Sequence, residues 1–92
     1  MRLTVELAGG LHLLFDQKKS VVLEFDAPVV SVRRVISALK DGHLKTTPEL
    51  FLAGDSVRPG ILVLVNEVDW ELEGLLDAEV KEGCVGSVLF FN

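Results

Sequence analysis

The chain has 92 residues, 49% of them hydrophobic, and carries 14 acidic against 9 basic side chains for a net charge of −5. That length suits one domain with a modest core, and the longest unbroken apolar run falls far short of the ~20 residues that cross a bilayer. The only basic pairs are Lys18-Lys19 and Arg33-Arg34, too few clustered cations to neutralise phosphates, so direct nucleic-acid binding drops out of the expected functions.

The start of the sequence goes straight into alternating polar and apolar residues, with no charged leader or apolar signal segment. The single cysteine, Cys84, has no internal partner for a disulfide, which fits a reducing compartment. Residues 1–92 are therefore expected to be one soluble domain, cytoplasmic, with the nucleus as a further location.

In chain order, residues 2–7 (RLTVEL) put Leu3, Val5 and Leu7 on one face and predict a half-buried strand. Gly9-Gly10 breaks it. Residues 11–15 fit either a continued strand or an irregular excursion. After a polar turn at 16–20, residues 21–25 predict a second strand with Val21, Leu23 and Phe25 inward, paired with the first as a hairpin. Ser31 is placed to cap a helix in which Val32, Val35, Ile36 and Leu39 recur on one face while Arg33, Arg34, Ser37 and Lys40 face away; Gly42 ends it. A linker through Thr46, Thr47 and Pro48, with one turn at 49–51, leads to the stretch the chain is organised around.

That stretch, GDSVRPGILVLVNEVDWEL at 54–72, reads as a turn at Arg58-Pro59-Gly60, a covered strand over 61–65, a tight turn at Asn66-Glu67, and an alternating strand with Val68, Trp70 and Leu72 on one face. Gly74 and a compact 75–77 segment follow. A glycine-bearing turn is expected at 82–86 and a last strand at 87–91. Two strands, one helix and three further strands predict an α+β chain with one main helix packed on a mixed sheet of four to five strands. With the first and last strands central and parallel, this is the β-grasp order. The expected core is Leu3, Val5, Val32, Val35, Ile36, Leu39, Ile61, Val63, Trp70 and Leu89.

No motif for catalysis emerges. His12 and His43 are far apart in sequence and the one cysteine is distant, so zinc-ligand spacing is lacking and no metal is expected. GDSVRPG lacks the Lys-Ser/Thr pair of a phosphate loop and reads as turn chemistry. Cys84 lies between Gly83 and Val85, away from an activating base. Seven of the acids fall between Glu67 and Glu82 against a single Lys81, which reads as a solvated face. The expectation is a non-enzyme without cofactor: a protein that other proteins act on.

The segments PELF at 48–51, GDSVRPGILVLVN at 54–66, DWEL at 69–72 and SVLF at 87–90, with LFD at 14–16 after a glycine pair, resemble in the same order the pattern of the ubiquitin-related modifier family. The resemblance covers nearly the whole chain. It implies a ubiquitin-like β-grasp and a carrier whose C-terminal glycine is adenylated by an activating enzyme with a rhodanese-like domain, then converted to a thiocarboxylate. The implied partners are that ubiquitin-activating-type adenylyltransferase and sulfurtransferase, a tRNA thiolation complex that modifies the wobble uridine of cytoplasmic tRNAs, and the lysines of target proteins.

Family members run a few residues past the last strand and finish in Gly-Gly, whereas this sequence ends Phe90, Phe91, Asn92. The attachment glycine is absent from the sequence, and the tail is expected to follow Asn92. A diglycine threads a narrow channel where residues with Cβ atoms would clash. In place of catalytic residues, the expected site is a partner surface of Leu62, Leu64 and Phe91, because period 2 sets Leu62 and Leu64 opposite Ile61, Val63 and Val65, on a sheet face without a helix. Two alternatives share the fold: a ubiquitin-like binding module that is never activated, and a small subunit of the molybdopterin-synthase type.

Overall fold

The structure is a computed structural model and describes residues 1–45, 47–81 and 87–92. The turn expected at 82–86, with Cys84, lies outside the described residues.

Strands β1 (Arg2–Ala8) and β2 (Ser20–Glu24) form the expected antiparallel hairpin, with Leu3 opposite Leu23 and Val5 opposite Val21. Alternation sends these four side chains and Leu7 into the core. The segment between them is a 3-10 turn over Leu11–Leu14 that buries Leu11, Leu14 and Phe15 and leaves Leu13 at the surface. After β3 (Val29–Ser31), the Ser31 Oγ accepts a hydrogen bond from the Arg34 amide at 3.2 Å and caps helix α1 (Val32–Gly42). The predicted apolar face of the helix is buried, and Arg33, Arg34, Ser37 and Lys40 are exposed. Arg33 reaches Asp55 at 3.2 Å and Asp77 at 3.3 Å, tying the start of the helix to two surface turns.

A 3-10 turn at Pro48–Leu50 leads into a small hairpin of β4 (Leu52–Ala53) and β5 (Ser56–Val57), which the sequence reading did not contain. Pro59 then occupies the second position of a β-turn whose third is Gly60 at φ +99°, closed by the Ile61 amide on the Arg58 carbonyl at 3.2 Å. That is type II geometry, which needs glycine there. Strand β6 (Leu62–Val65) starts one residue later than expected and buries Val63 and Val65.

Asn66 and Glu67 both have positive φ, +49° and +70°, as a two-residue hairpin turn requires. Asn66 is also tied to the last strand. Its Oδ1 accepts from the Ser87 amide at 3.0 Å, while its own amide donates to the Ser87 carbonyl at 2.9 Å.

The alternating strand expected through Leu72 stops early. Strand β7 is only Val68–Asp69, because the Asp69 carboxylate accepts from the Glu71 amide at 2.9 Å and starts a 3-10 turn over Trp70–Leu72. Local side-chain capping therefore overrides the period-2 pattern. Trp70 is buried as expected, but Leu72 is 80% exposed. A further 3-10 turn at Leu75–Asp77 precedes β8 (Glu79–Lys81), which pairs with β3 in a second small sheet absent from the sequence reading.

The last strand, β9 (Ser87–Phe91), lies parallel to β1 and antiparallel to β6, in a five-stranded sheet of order β2-β1-β9-β6-β7. One helix over this mixed sheet is the β-grasp. Phe15, Phe51 and Phe90, all fully buried, meet edge to face with centroids at 5.1 and 5.4 Å. One expected core residue is misplaced. Val88 and Phe90 point inward, and Leu89 is half-buried on the other face, because it shares its parity with Phe91 rather than with the core set.

Candidate functional site

The face of the sheet away from α1 is built by alternation in β6 and β9. Register places Leu62 directly opposite Phe91 and Leu64 opposite Leu89. On the other side of β9, Ala8 lies beside Phe91 and Glu6 beside Leu89. Leu62 is 40% and Phe91 48% exposed, and Leu64 and Leu89 are half-buried between their neighbours. The three residues singled out in the sequence thus share one face, with Leu62 and Phe91 as a cross-strand pair and Leu64 joined to them through Leu89. Leu89 is the member the sequence reading missed. Its spacing of two from Phe91 was the available signal. On its far side Leu64 faces Asp69 across β7, so the apolar patch has an acidic margin.

The main chain leaves the sheet at the end of the same patch. Strand β9 ends level with β1, and the Asn92 amide approaches the Ala8 carbonyl at 3.4 Å. Asn92 crosses directly over Gly9, whose φ is +66°. A Cβ at Gly9 would fall 2.9 Å from the Asn92 nitrogen and overlap its carbonyl oxygen, so only glycine lets the last residue take this course. An open groove next to Asn92 is lined by Leu11, Leu13 and Leu14 from the turn before β2 and by Leu50, Arg58 and Pro59.

Among the described residues, no group of three or more His, Cys, Asp or Glu side chains is gathered to hold a metal ion, and no helix is long and apolar enough to cross a membrane. His12 and His43 sit on separate segments, one in the turn before β2 and one capping the end of α1. The features that stand out are an apolar sheet face and, beside it, the passage of the main chain over Gly9.

The family model for Urm1 (Ubiquitin related modifier) matches residues 2–91. Ubiquitin-related modifier 1 of Bos taurus is 48% identical over 90 residues, covering 96% of this chain and 87% of that protein. The Dictyostelium discoideum homolog is 46% identical over 83 residues, covering 89% of this chain and 86% of that one. Among solved structures, Urm1 from Trypanosoma brucei superposes with a TM-score of 0.83 at 34% identity, over 99% of this chain and 90% of that one. A chain of the BexX/CysO complex of Amycolatopsis orientalis superposes with a TM-score of 0.74 at 25% identity, over 97% of this chain and 92% of that one. With the family model matched along almost its whole length and relatives near half identity, the chain belongs to the ubiquitin-related modifier family.

Proposed function

We propose that this ubiquitin-like modifier is a sulfur carrier that is acted on rather than acting. Its reacting group is the carboxylate of a diglycine extension following Asn92. The observation that carries this reading is the course of β9: it runs through the middle of the sheet, crosses Gly9 and hands the main chain to the surface beside the Leu62, Leu64 and Phe91 patch. Similarity to a chain of the BexX/CysO complex supports a carrier that works docked on a second protein.

The chemistry follows from the weak reactivity of a carboxylate. ATP converts it to an acyl adenylate with loss of pyrophosphate. A persulfide on the activating enzyme then displaces AMP, and cleavage of the resulting acyl disulfide by a thiol leaves the thiocarboxylate on the carrier. That sulfur serves 2-thiolation of the wobble uridine of cytoplasmic tRNAs through a thiolation complex, which holds the RNA in place of this acidic chain. The activated end also transfers to lysines of target proteins. The patch formed by Leu62, Leu64 and Phe91, completed by Leu89, is the surface the activating enzyme reads.

Adenylation is tested by ATP–pyrophosphate exchange with the family's activating enzyme. A version extended after Asn92 by a short polar linker ending in Gly-Gly should support exchange, and the 92-residue chain should not. No exchange with the extended version, while another family member exchanges in parallel, would favour a binding module that is never activated.

A further inference from the structure

The open groove beside Asn92 is lined in part by Leu11, Leu14 and Ile61, all buried. Two exposed leucines also line it: Leu13, 59% exposed, from the turn before β2, and Leu50, 54% exposed, from the turn before β4. Two leucines standing that far into water in the lining of one groove offer apolar surface to an aliphatic side chain.

Arg58 stands at the rim and is held at both ends. Its amide donates to the Phe51 carbonyl at 2.9 Å, and its Nη1 donates to the Glu49 carbonyl at 3.0 Å. Among the described residues the ion pairs are those of Arg2 and Arg33, and Arg58 has no carboxylate. A guanidinium carries five N–H donors in a planar fork, so one bond to a carbonyl fixes its position and leaves the rest of the fork to receive a carboxylate. On a chain of net charge −5, a positioned cation without a carboxylate partner among the described residues, lining an apolar groove, selects for an acidic group.

We infer that this groove is a second docking site, distinct from the Leu62 and Phe91 face, for a partner segment that pairs a carboxylate with a leucine-like side chain. The carboxylate seats on Arg58 and the aliphatic group between Leu13 and Leu50. Because Asn92 lines the same groove, the occupant lies against the root of any extension. The site does not depend on activation and would serve equally in a module that is only bound.

The test is an amide NMR titration of the 92-residue chain with a capped peptide of alternating leucine and glutamate, against leucine–lysine and serine–glutamate peptides of equal length. Saturable shifts at Leu11, Leu13, Leu50 and Asn92 are expected with the first peptide and not with the other two. Arg58→Gln keeps a donor for the Glu49 carbonyl but loses the charge, and should weaken binding about tenfold; Leu13→Ser should weaken it as well, and Leu62→Ser should leave it unchanged. Absence of saturable shifts, equal binding of the lysine peptide, indifference to Arg58→Gln, or shifts confined to Leu62, Leu64 and Phe91 would each overturn the inference. So would loss of peptide binding in the Gly-Gly-extended version with contacts from the extension to Leu13, which would assign the groove to the chain's own tail.

Discussion

Asn92 lies across the α-carbon of Gly9, so close that a single added methyl group at Gly9 would occupy the space of the Asn92 backbone. The hairpin that opens the chain therefore sets the direction in which the last strand leaves it.

Gly9→Ala should combine a positive-φ penalty with that overlap and cost at least ~1 kcal/mol in urea denaturation. Amide shifts should concentrate at Ala8, Phe91 and Asn92. At Gly10, where φ is +91° but a Cβ would meet nothing within 4 Å, alanine should cost the φ penalty alone and leave Asn92 undisturbed. Equal shifts at Asn92 in the two variants would show that the contact does not steer the chain end.

Trp70→Ala and Leu72→Ala separate the observed 3-10 turn from a continued strand. Trp70 is 8% and Leu72 80% exposed, so the first should lose about 3–5 kcal/mol and the second stay within about 0.5 kcal/mol. Comparable losses in thermal melts would place both side chains on one buried strand face.

The hairpin turn offers a graded test through Asn66. Its side chain satisfies the part-buried Ser87 amide, and its backbone holds φ +49°. Asn66→Gly keeps the backbone preference and loses only the side-chain bond, at a cost of about 1–2 kcal/mol, whereas Asn66→Ala should cost more because alanine resists positive φ. Chemical denaturation of the two variants checks the order. Alanine proving the milder change would mean that the positive φ at position 66 carries no cost, and an Asn66→Gly variant as stable as the parent would mean that the bond to Ser87 contributes nothing.

For the partner patch, register chooses the substitution. Leu64 faces Asp69 across β7, so a glutamate at 64 would set like charges opposite each other and confuse lost binding with lost stability. Leu64→Lys places an ammonium opposite that carboxylate and should preserve the melting temperature while weakening capture by the activating enzyme. Phe91→Ser, from the same patch, should act alike. Undiminished capture by both variants would remove this face from the interface.

Much of this was legible in the sequence because the signals were local. The helix carried its own cap at Ser31 and a clean apolar face, and both appear in the structure. Glycine marked the turn at Gly60, and alternation set the inward faces of β1, β2 and β6. Three features were hidden for physical reasons. In β9, the run SVLFF is apolar on both sides, so period 2 identifies a strand without saying which face is buried, and the expected core holds Leu89 where the structure buries Val88 and Phe90. At Trp70 two local rules competed, and the Asp69 cap ended an alternation that looked continuous. The pairing of β3 with β8 joins residues far apart in sequence through three-residue strands too short to show a pattern. The apolar patch was only partly visible, since Leu62 and Leu64 followed from alternation but their contact with β9 depends on strand order. In the sequence Arg58 reads only as part of a turn, because its place beside Asn92 and its bond to the Glu49 carbonyl emerge from tertiary placement.

Sulfur loading is read by intact-mass measurement after incubation with ATP, the family's activating enzyme, a persulfide source and a thiol. The Gly-Gly-extended version should gain the mass difference between one sulfur and one oxygen atom, and then lose it to tRNA when the thiolation complex is added. The 92-residue chain should keep its mass throughout. An extended version that never gains sulfur, while another family member treated in parallel does, would rule out a sulfur carrier.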